Sequence, residues 1–341
     1  MYLVRPSENW AGTKAKETYV LERANAGQLL VMQKPFMIQQ VDSLTLRGKG
    51  TLVVRPGGIG DLVHLDAALR EVKKNANGPV DVCVSGIYKD VMKYCPHIRK
   101  VVEYPLKLSD AMMYEKIEWL EDSVENETEL HMSDAFLKAC GFDHTTYHPE
   151  EKRPRIHLPP GCKMPKKGKK PRVGFQVKAS AKCRTPTVKL LGKLMEMYHR
   201  EGWEVWLFGA PGEVQLDDPA VENTTTWKKP LSILESANWM RTCDLFIAPD
   251  SGLLHIAASL KIPSVGLYGP FPADLRVRYS PYNVSVEAKA PCAPCFWHSR
   301  GAHFPPGCPG AKHNECIVLA GIRPETVIKA GELAMEKKRS G

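Results

Sequence analysis

The stretch that most constrains the fold runs from Thr51 to Val72 and reads TLVVRPGGIGDLVHLDAALREV. Its first four residues have the composition of a buried parallel strand, and residues 55–61 form a turn that contains three glycines. Beyond the turn, apolar residues recur at the spacing of one helix face: Leu62, Leu65, Ala68, Leu69 and Val72. The stretch therefore predicts a strand, a glycine-rich loop and the start of a helix.

The loop has the properties of a ligand-binding turn. Gly57, Gly58 and Gly60 allow positive φ angles and the close approach of a ligand, and the first N–H groups of the following helix face it. Asp61 lies at the mouth of this turn, where the helix dipole favours an ionised carboxylate that can accept a proton from a hydroxyl. The alternative is that Asp61 only caps the helix. The segment has neither the GK[ST] of a Walker A loop nor the GxGxxG spacing.

The rest of the chain alternates between strand and helix patterns in two successive halves. Short apolar runs predict strands at 80–84, 100–104, 172–176, 204–209, 245–248 and 264–268, the last of the series. Helical periodicity predicts helices at about 88–95, 109–122, 131–140, 187–200, 232–241 and 253–260. Strand–helix–strand order at these spacings implies right-handed crossovers and a parallel sheet in each half.

Changes in composition divide the chain into three parts. Residues 1–48 hold two strand-like runs, 18–21 and 28–32, and predict a short N-terminal β appendage. A Pro-, Lys-, Glu- and Gly-rich segment at 146–170 reads as a linker, which predicts Rossmann-like domains at 49–160 and 161–341. The expected fold is α/β, with two doubly wound domains facing a central cleft. Because ligands bind at the carboxyl ends of such strands, the cleft is the predicted site.

Charge and apolar patterning limit the partners and the compartment. The formal charge is +9, which favours an anionic partner such as a nucleotide diphosphate, a nucleic acid or an acidic polymer. No apolar run is long enough for a transmembrane segment, and the N-terminus lacks a signal-peptide core, so a cytoplasmic protein is expected. The basic residues concentrate at Lys163, Lys166, Lys167, Lys169, Lys170, Arg172, Lys178, Lys182 and Arg184. Those at 163–170 are interpreted as a solvated linker.

Four of the ten cysteines form a group with metal-ligand spacing. Cys292 and Cys295 make a CxxC pair, and Cys308 and Cys316 follow after 12 and 7 residues, within a segment at about 290–318. Four thiolates can surround one zinc or iron ion tetrahedrally. His298, His303 and His313 are alternative ligands. Ten cysteines in a cytosolic chain argue against a disulfide framework.

Three segments resemble one enzyme family. Gly60-Asp61, the run APDSGLLHIAA at 248–258 and PSVGLYGP at 263–270 are together similar to glycosyltransferase family 9, whose best-known members are the ADP-heptose:lipopolysaccharide heptosyltransferases. The resemblance implies a GT-B fold, a nucleotide-diphosphate sugar held mainly by the C-terminal half, and inverting, metal-independent transfer. ADP-heptose is the donor it implies, and Asp61 matches the catalytic base.

The resemblance also implies a donor-binding set. Asp250, Ser251, Gly252 and His255 match the donor motif, and Gly58 and Gly60 belong to the glycine turn. Lys182 or Arg184 would neutralise the diphosphate, Ser180 would donate a further bond to it, and Glu213 is a weaker candidate. The Trp expected before Pro186 is replaced by Thr185.

Two departures from that family stand out, namely the long N-terminal extension and the cysteine group. The cysteine group resembles that of iron-containing heptosyltransferases that modify autotransporter proteins, and its metal is expected to be structural. The acceptor stays open between a glycan, a protein hydroxyl and a nucleic-acid base, and the oligomeric state is undetermined. The alternatives are a non-catalytic nucleic-acid-binding protein and a sugar-nucleotide epimerase on the same scaffold.

Overall fold

The computed structural model forms two units. It describes residues 2–6, 17–21, 36–40, 44, 46–121, 123–124, 127–210, 213, 224–225, 230–297 and 304–341. The first unit comprises Met1–Glu127 and Ser133–Glu151, and the second comprises Thr128–Met132 and Lys152–Gly341. The domain boundary at 160/161 stays a prediction. Among the described residues, no helix is both long enough and apolar enough to cross a membrane.

The first unit is built on a four-stranded parallel sheet. Its strands are β4 (Thr51–Val54), β5 (Val80–Ser85), β6 (Val101–Tyr104) and β7 (Lys116–Trp119), in the order β6-β5-β4-β7. The helices are Ile59–His64, Asp66–Asn75, Lys89–Met92, Leu108–Ala111 and Met132–Ala139. All four residues of β4 are buried, as expected for a central parallel strand. The helix Met132–Ala139 matches the one predicted at about 131–140, and Gly141, at φ +82°, follows its end.

An antiparallel sheet precedes this core. Strands β1 (Tyr2–Pro6), β2 (Tyr19–Leu21) and β3 (Phe36–Gln40) lie in the order β2-β1-β3. The expected N-terminal β appendage is therefore present. Its predicted strand at 28–32 lies outside the described residues.

The helix predicted at 109–122 is confirmed only at 109–111. Only Leu108–Ala111 is helical, and Lys116–Trp119 is a strand that pairs in parallel with β4. The N–H groups of Glu115 and Lys116 both bond the carbonyl of Gly50. The alternation of charged and apolar residues at 116–119 suits an edge strand. Hydrogen bonding to the edge of β4 that β5 leaves unpaired decides for a strand over a helix.

The second unit contains a six-stranded parallel sheet. Its strands are β8 (Arg172–Gln176), β9 (Glu204–Phe208), β10 (Thr224–Thr225), β11 (Leu245–Pro249), β12 (Ser264–Leu267) and β13 (Asn283–Val286). They lie in the order β10-β9-β8-β11-β12-β13. The helices are Val188–Arg200, Ile233–Met240, Gly252–Ser259, Asp274–Val277, Ile317–Ala320 and Pro324–Ser340. The expectation that β12 is the last strand is wrong, because β13 pairs with it in parallel.

Strand order positions the candidate site of the second unit. Strands β8 and β11 are hydrogen-bonded neighbours, so the loops that follow them meet at one edge of the sheet. The first loop leads to the 3-10 turn Lys182–Arg184, and the second to the helix Gly252–Ser259. The fold thus brings together two segments that lie far apart in the sequence.

Candidate functional site

Asp61 lies in the first turn of a helix and is held there by two groups. The helix begins at Ile59, three residues before the expected start at Leu62, with Gly58 as its N-cap residue. The Gly58 N–H donates to Asp61 Oδ2 at 2.6 Å, and Arg55 Nη2 lies 3.2 Å from the same oxygen. The Asp61 side chain is 19% exposed, whereas that of Arg55 is 2% exposed. Asp61 is therefore not the N-cap residue of the alternative. Its side chain accepts from the Gly58 N–H from the third helical position and still reaches solvent.

The glycines of the turn matter because they lack a side chain, and not because of unusual backbone angles. None of Gly57, Gly58 and Gly60 has a positive φ, so that expectation is wrong. A Cβ at Gly57 would lie 2.4 Å from Asp61 Oδ2 and 2.6 Å from Arg55 Nε. Gly57 is needed because the ion pair between Arg55 and Asp61 passes directly over its backbone.

Arg55 is the residue of this loop that the sequence interpretation missed. Its Nη1 donates to the carbonyl of Leu120 at 2.8 Å and to that of Glu121, and its guanidinium lies 5.5 Å from the centre of the Phe136 ring. These contacts fix the guanidinium beside Asp61. Its position directly after the buried strand Thr51–Val54 could have identified Arg55 as a site residue from the sequence.

Asp250 is the centre of a buried charge cluster in the second unit. Its carboxylate is 4% exposed and faces His255 Nε2 at 3.6 Å, Arg184 Nη1 at 3.7 Å and Arg276 Nε at 3.7 Å. Burial alone would raise the pKa of Asp250. The His255 imidazole and the guanidinium groups of Arg276 and Arg184 outweigh burial and hold that pKa well below its usual range. The carboxylate is thus placed to orient two guanidinium groups.

The loop after β8 is tied to this cluster through Arg184. Arg184 Nη2 donates to Ser180 Oγ at 2.8 Å, and Nη1 donates to the carbonyl of Asp250 at 3.1 Å. Lys182, in the same 3-10 turn, is half-buried and forms no ion pair with a carboxylate of the described residues. The geometry separates the two basic candidates: Arg184 belongs to the Asp250 cluster, whereas Lys182 has no carboxylate partner among the described residues.

The remaining donor-motif residues begin the helix after β11. Ser251 is its N-cap residue and its hydroxyl bonds Gln176 Oε1, and Gly252 is the first helical residue. His255 is buried one turn later against Asp250. Gln176 and Arg276 were not identified from the sequence, since neither belongs to the motif and only the sheet and the turn after β12 bring them here.

All four cysteines of the predicted metal group line one cavity of about 180 Å³ in the second unit. Cys183, which the sequence interpretation did not include, lines the same wall. The loop after β8 holds the predicted donor residues Ser180, Lys182 and Arg184 and is named the donor loop for that prediction. The cavity packs against it, since a Cβ at Gly269 would lie 3.1 Å from Cys316 Sγ and 3.5 Å from the Cys183 carbonyl.

The four cysteine thiolates suit a bound zinc or iron ion in ligand type and in number. Within the described part of the chain, which includes all four cysteines, no three of their sulfur atoms lie within 4.8 Å of one another. Coordination would need them to draw closer, because four sulfurs about 2.3 Å from one ion lie about 4 Å apart. His298 and His303 lie outside the described residues.

Comparison with known proteins gives one family. Residues 129–302 match the model of glycosyltransferase family 9 (heptosyltransferase). Lipooligosaccharide heptosyltransferase 2 of Campylobacter jejuni is 33% identical over 88 residues, which are 26% of this chain and 24% of that protein. Lipopolysaccharide heptosyltransferase 1 of Pseudomonas aeruginosa is 30% identical over 108 residues, 30% of each chain. The aligned stretches thus span less than a third of these relatives.

Solved structures extend the similarity to the fold. E. coli ADP-heptose lipopolysaccharide heptosyltransferase II superposes with a TM-score of 0.63 at 13% identity, covering 85% of this chain and 99% of that one. The iron-containing dodecameric glycosyltransferase TibC of enterotoxigenic E. coli gives 0.63 at 16% identity, covering 100% and 92%. The α/β fold with parallel sheets of the GT-B type is therefore confirmed.

Proposed function

The chain belongs to glycosyltransferase family 9, and we propose that it transfers a heptose from ADP-heptose to an acceptor hydroxyl with inversion at the anomeric carbon. In this proposal the second unit binds the donor and Asp61 of the first unit is the general base. The observation that carries it is the Asp250 cluster, in which a buried carboxylate orients two guanidinium groups beside the start of a helix.

The cluster has the chemistry that a pyrophosphate requires. Arg184 and Arg276 bring positive charge, and the N–H groups of Gly252 and Leu253, the first two helical residues, have no acceptor within the helix. The donor assignment draws on a TibC structure that contains ADP-D-beta-D-heptose, with a TM-score of 0.60 at 14% identity. Positive charge fixed in place stabilises the departing diphosphate without reorganisation during the reaction.

The transfer step would use the carboxylate of Asp61 as a proton acceptor. The acceptor oxygen loses its proton to Asp61 and attacks the anomeric carbon, while the bond from that carbon to the diphosphate oxygen breaks. The bonding electrons leave with the nucleoside diphosphate. Arg55 and the Gly58 N–H hold one oxygen of the carboxylate, which orients Asp61 as a base.

Donor identity is testable by ligand-induced stabilisation. A ligand that binds the native state at 100 times its Kd raises stability by about 2.7 kcal/mol. We expect ADP and ADP-heptose to raise the Tm and UDP, GDP and CMP to leave it unchanged. Stabilisation by UDP or GDP alone would overturn the ADP assignment, and no stabilisation by any nucleotide would overturn the donor site.

The two basic residues of the donor loop should differ in what they contribute. Lys182→Met is expected to weaken ADP binding about 10-fold and leave the Tm unchanged, because its charge is not neutralised by a described carboxylate. Arg184→Met should weaken ADP binding and also lower the Tm, because it removes the contacts to Asp250 and Ser180. Calorimetric titration with ADP and thermal unfolding of both variants measure the two effects. Equal Tm values for the two variants would contradict this assignment.

We further propose that Cys292, Cys295, Cys308 and Cys316 hold one structural zinc or iron ion, which would cross-link the chain segment that packs on the donor loop. The transfer chemistry uses none of these residues. We expect about one equivalent of metal per chain by elemental analysis. Cys295→Ser should lose it and lower the Tm, whereas Cys162→Ser, outside the cavity, should keep it. Full metal content in Cys295→Ser would exclude this ligand set.

A further inference from the structure

A second cavity in the second unit lies at the other edge of its sheet. It has a volume of about 660 Å³, and its wall includes the residues that immediately precede four strands: Pro171, Trp203, Asp244 and Pro263. Since the strands are parallel, their first residues share one edge and the donor loops follow the opposite edge. This amino-edge cavity is therefore separate from the proposed donor site.

Four cationic side chains line the amino-edge cavity: Arg241, Lys261, Lys338 and Arg339. None of them forms an ion pair with a carboxylate of the described residues. Arg241 Nη1 donates to neutral oxygens, the Cys162 carbonyl at 3.3 Å and Asn238 Oδ1 at 3.0 Å. Lys338 Nζ lies 4.6 Å from the centre of the Tyr282 ring. The wall therefore keeps four positive charges that no carboxylate in the described part of the chain neutralises.

The one acidic residue on the wall is already neutralised. Asp244 pairs with Lys167 and accepts a hydrogen bond from the Arg172 N–H at 2.7 Å. Lys167 belongs to the basic run 163–170, which was interpreted from the sequence as a solvated linker. The run is anchored beside the cavity, because the Lys163 carbonyl accepts from Asn238 Nδ2 at 3.1 Å. Its exposed lysines therefore add to the positive charge at this edge.

The floor of the cavity is aliphatic. Leu260, Ile262, Pro263 and Met335 line it, together with Met164, which is 52% exposed. One aromatic residue, Trp203, also lines the cavity, and its ring makes a T-shaped contact with Tyr198, with the centroids 5.3 Å apart. The described lining is therefore mainly aliphatic and holds a single aromatic ring.

We propose that the amino-edge cavity binds an anionic phospholipid and docks this unit on an acidic bilayer surface. Cations at the rim match the lipid phosphate, and the aliphatic floor matches the glycerol and the first methylenes of the acyl chains. A single-stranded nucleic acid would call for exposed aromatic rings on which bases stack. Inorganic phosphate would leave the aliphatic floor unused.

The test is cosedimentation of the full chain with vesicles at low salt. We expect binding to vesicles that contain phosphatidylglycerol, none to phosphatidylcholine alone, and weakening as the salt concentration rises. The variant Lys261→Gln/Lys338→Gln/Arg339→Gln should lower affinity on the order of 100-fold, since each cation near an acidic bilayer contributes roughly a factor of five. The matched control Lys193→Gln/Lys289→Gln/Lys329→Gln removes the same charge from exposed positions outside the cavity and should bind as the wild type does.

Three results would overturn the proposal. Equal loss in both triple variants would show that net charge alone drives binding. Wild-type affinity of Met164→Ser for vesicles would show that the floor is unused and that the rim binds phosphate only, because loss of this apolar contact should cost about 3- to 10-fold. Binding of a single-stranded oligonucleotide that depends on the three cavity cations, without vesicle binding, would assign the surface to nucleic acid. Unchanged Tm values confirm that the variants are folded.

Discussion

Replacing Asp61 by asparagine is expected to slow sugar transfer by about 10²- to 10⁴-fold, the usual contribution of a general base. Asparagine keeps the shape of the side chain and an oxygen that can accept from the Gly58 N–H, but it cannot take the acceptor proton. Donor affinity should stay within a factor of about two, because the basic residues proposed to bind the diphosphate, Lys182, Arg184 and Arg276, belong to the second unit. The rate of ADP release in the presence of acceptor measures the first effect, and calorimetric titration measures the second.

Asp61→Asn also removes the ion pair to a buried arginine, so stability needs its own control. Arg55 keeps its two carbonyl acceptors, and we expect a loss of about 1–3 kcal/mol. Asp81 is a matched residue at the start of β5: it is fully buried, pairs with Arg99 at 2.6 Å and accepts from the Tyr114 hydroxyl at 2.7 Å. Asp81→Asn should lose at least as much stability and still transfer at the wild-type rate. Transfer by Asp61→Asn within 10-fold of wild type would end its assignment as the base.

Asp250→Asn is expected to have the largest effect on stability, about 3–5 kcal/mol. The neutral side chain would leave the guanidinium groups of Arg184 and Arg276 facing each other in a buried site without a compensating charge. ADP binding should weaken as well, because neither arginine would be held in position. Urea unfolding and ADP titration measure the two losses. In the control Asp274→Asn, an exposed carboxylate that pairs with Arg278 is removed, and the change should be below about 0.5 kcal/mol.

The acid dependence of stability follows from the pKa of Asp250. That pKa is lower in the folded chain than in the unfolded chain, so the unfolded chain takes up the proton first as the pH falls. The stabilisation is therefore complete above about pH 4 and is lost progressively below it. We expect the Tm difference between the wild type and Asp250→Asn to shrink below about pH 4. A constant difference down to pH 2.5 would show that the Asp250 charge does not cause the stabilisation.

The hydrophobic pattern of a segment was sufficient to predict a helix or strand wherever the segment has a clear period and clear ends. The strand Arg172–Gln176 was predicted to the residue, and the helices Val188–Arg200 and Gly252–Ser259 to within one residue at each end. Each has apolar residues at the period of its own element, bounded by caps or glycines. The prediction failed at 116–119 because an alternation over only four residues is too short to decide between strand and helix, and pairing with β4 decides for the strand.

The two charge clusters show where local pattern ends. Asp61 and Asp250 were found from short motifs, but their partners Arg55 and Arg276 were not, because an arginine has no periodicity that reveals which carboxylate it will face. The same holds for Cys183, whose neighbours in sequence mark it as part of a basic loop, whereas packing adds it to the cysteine cavity. Likewise, the basic run at 163–170 acquires a defined position only through its bonds to Asn238 and Asp244.

By itself, the sequence determined the α/β class, the repeated strand–loop–helix unit and the four clustered cysteines. It also determined the carboxylates and glycines of two loops, the turn that ends at Asp61 and the loop that holds Asp250. These depend on residues close together in the chain, where backbone geometry and hydrophobic period act directly. The tertiary structure alone decided which arginines face Asp61 and Asp250 and which strands form the sheet edges. It also decided that four cations, none paired with a carboxylate of the described residues, line the same cavity as the aliphatic side chains. Those properties depend on burial and on charges brought together from distant segments. The local sequence around each residue does not specify these long-range contacts.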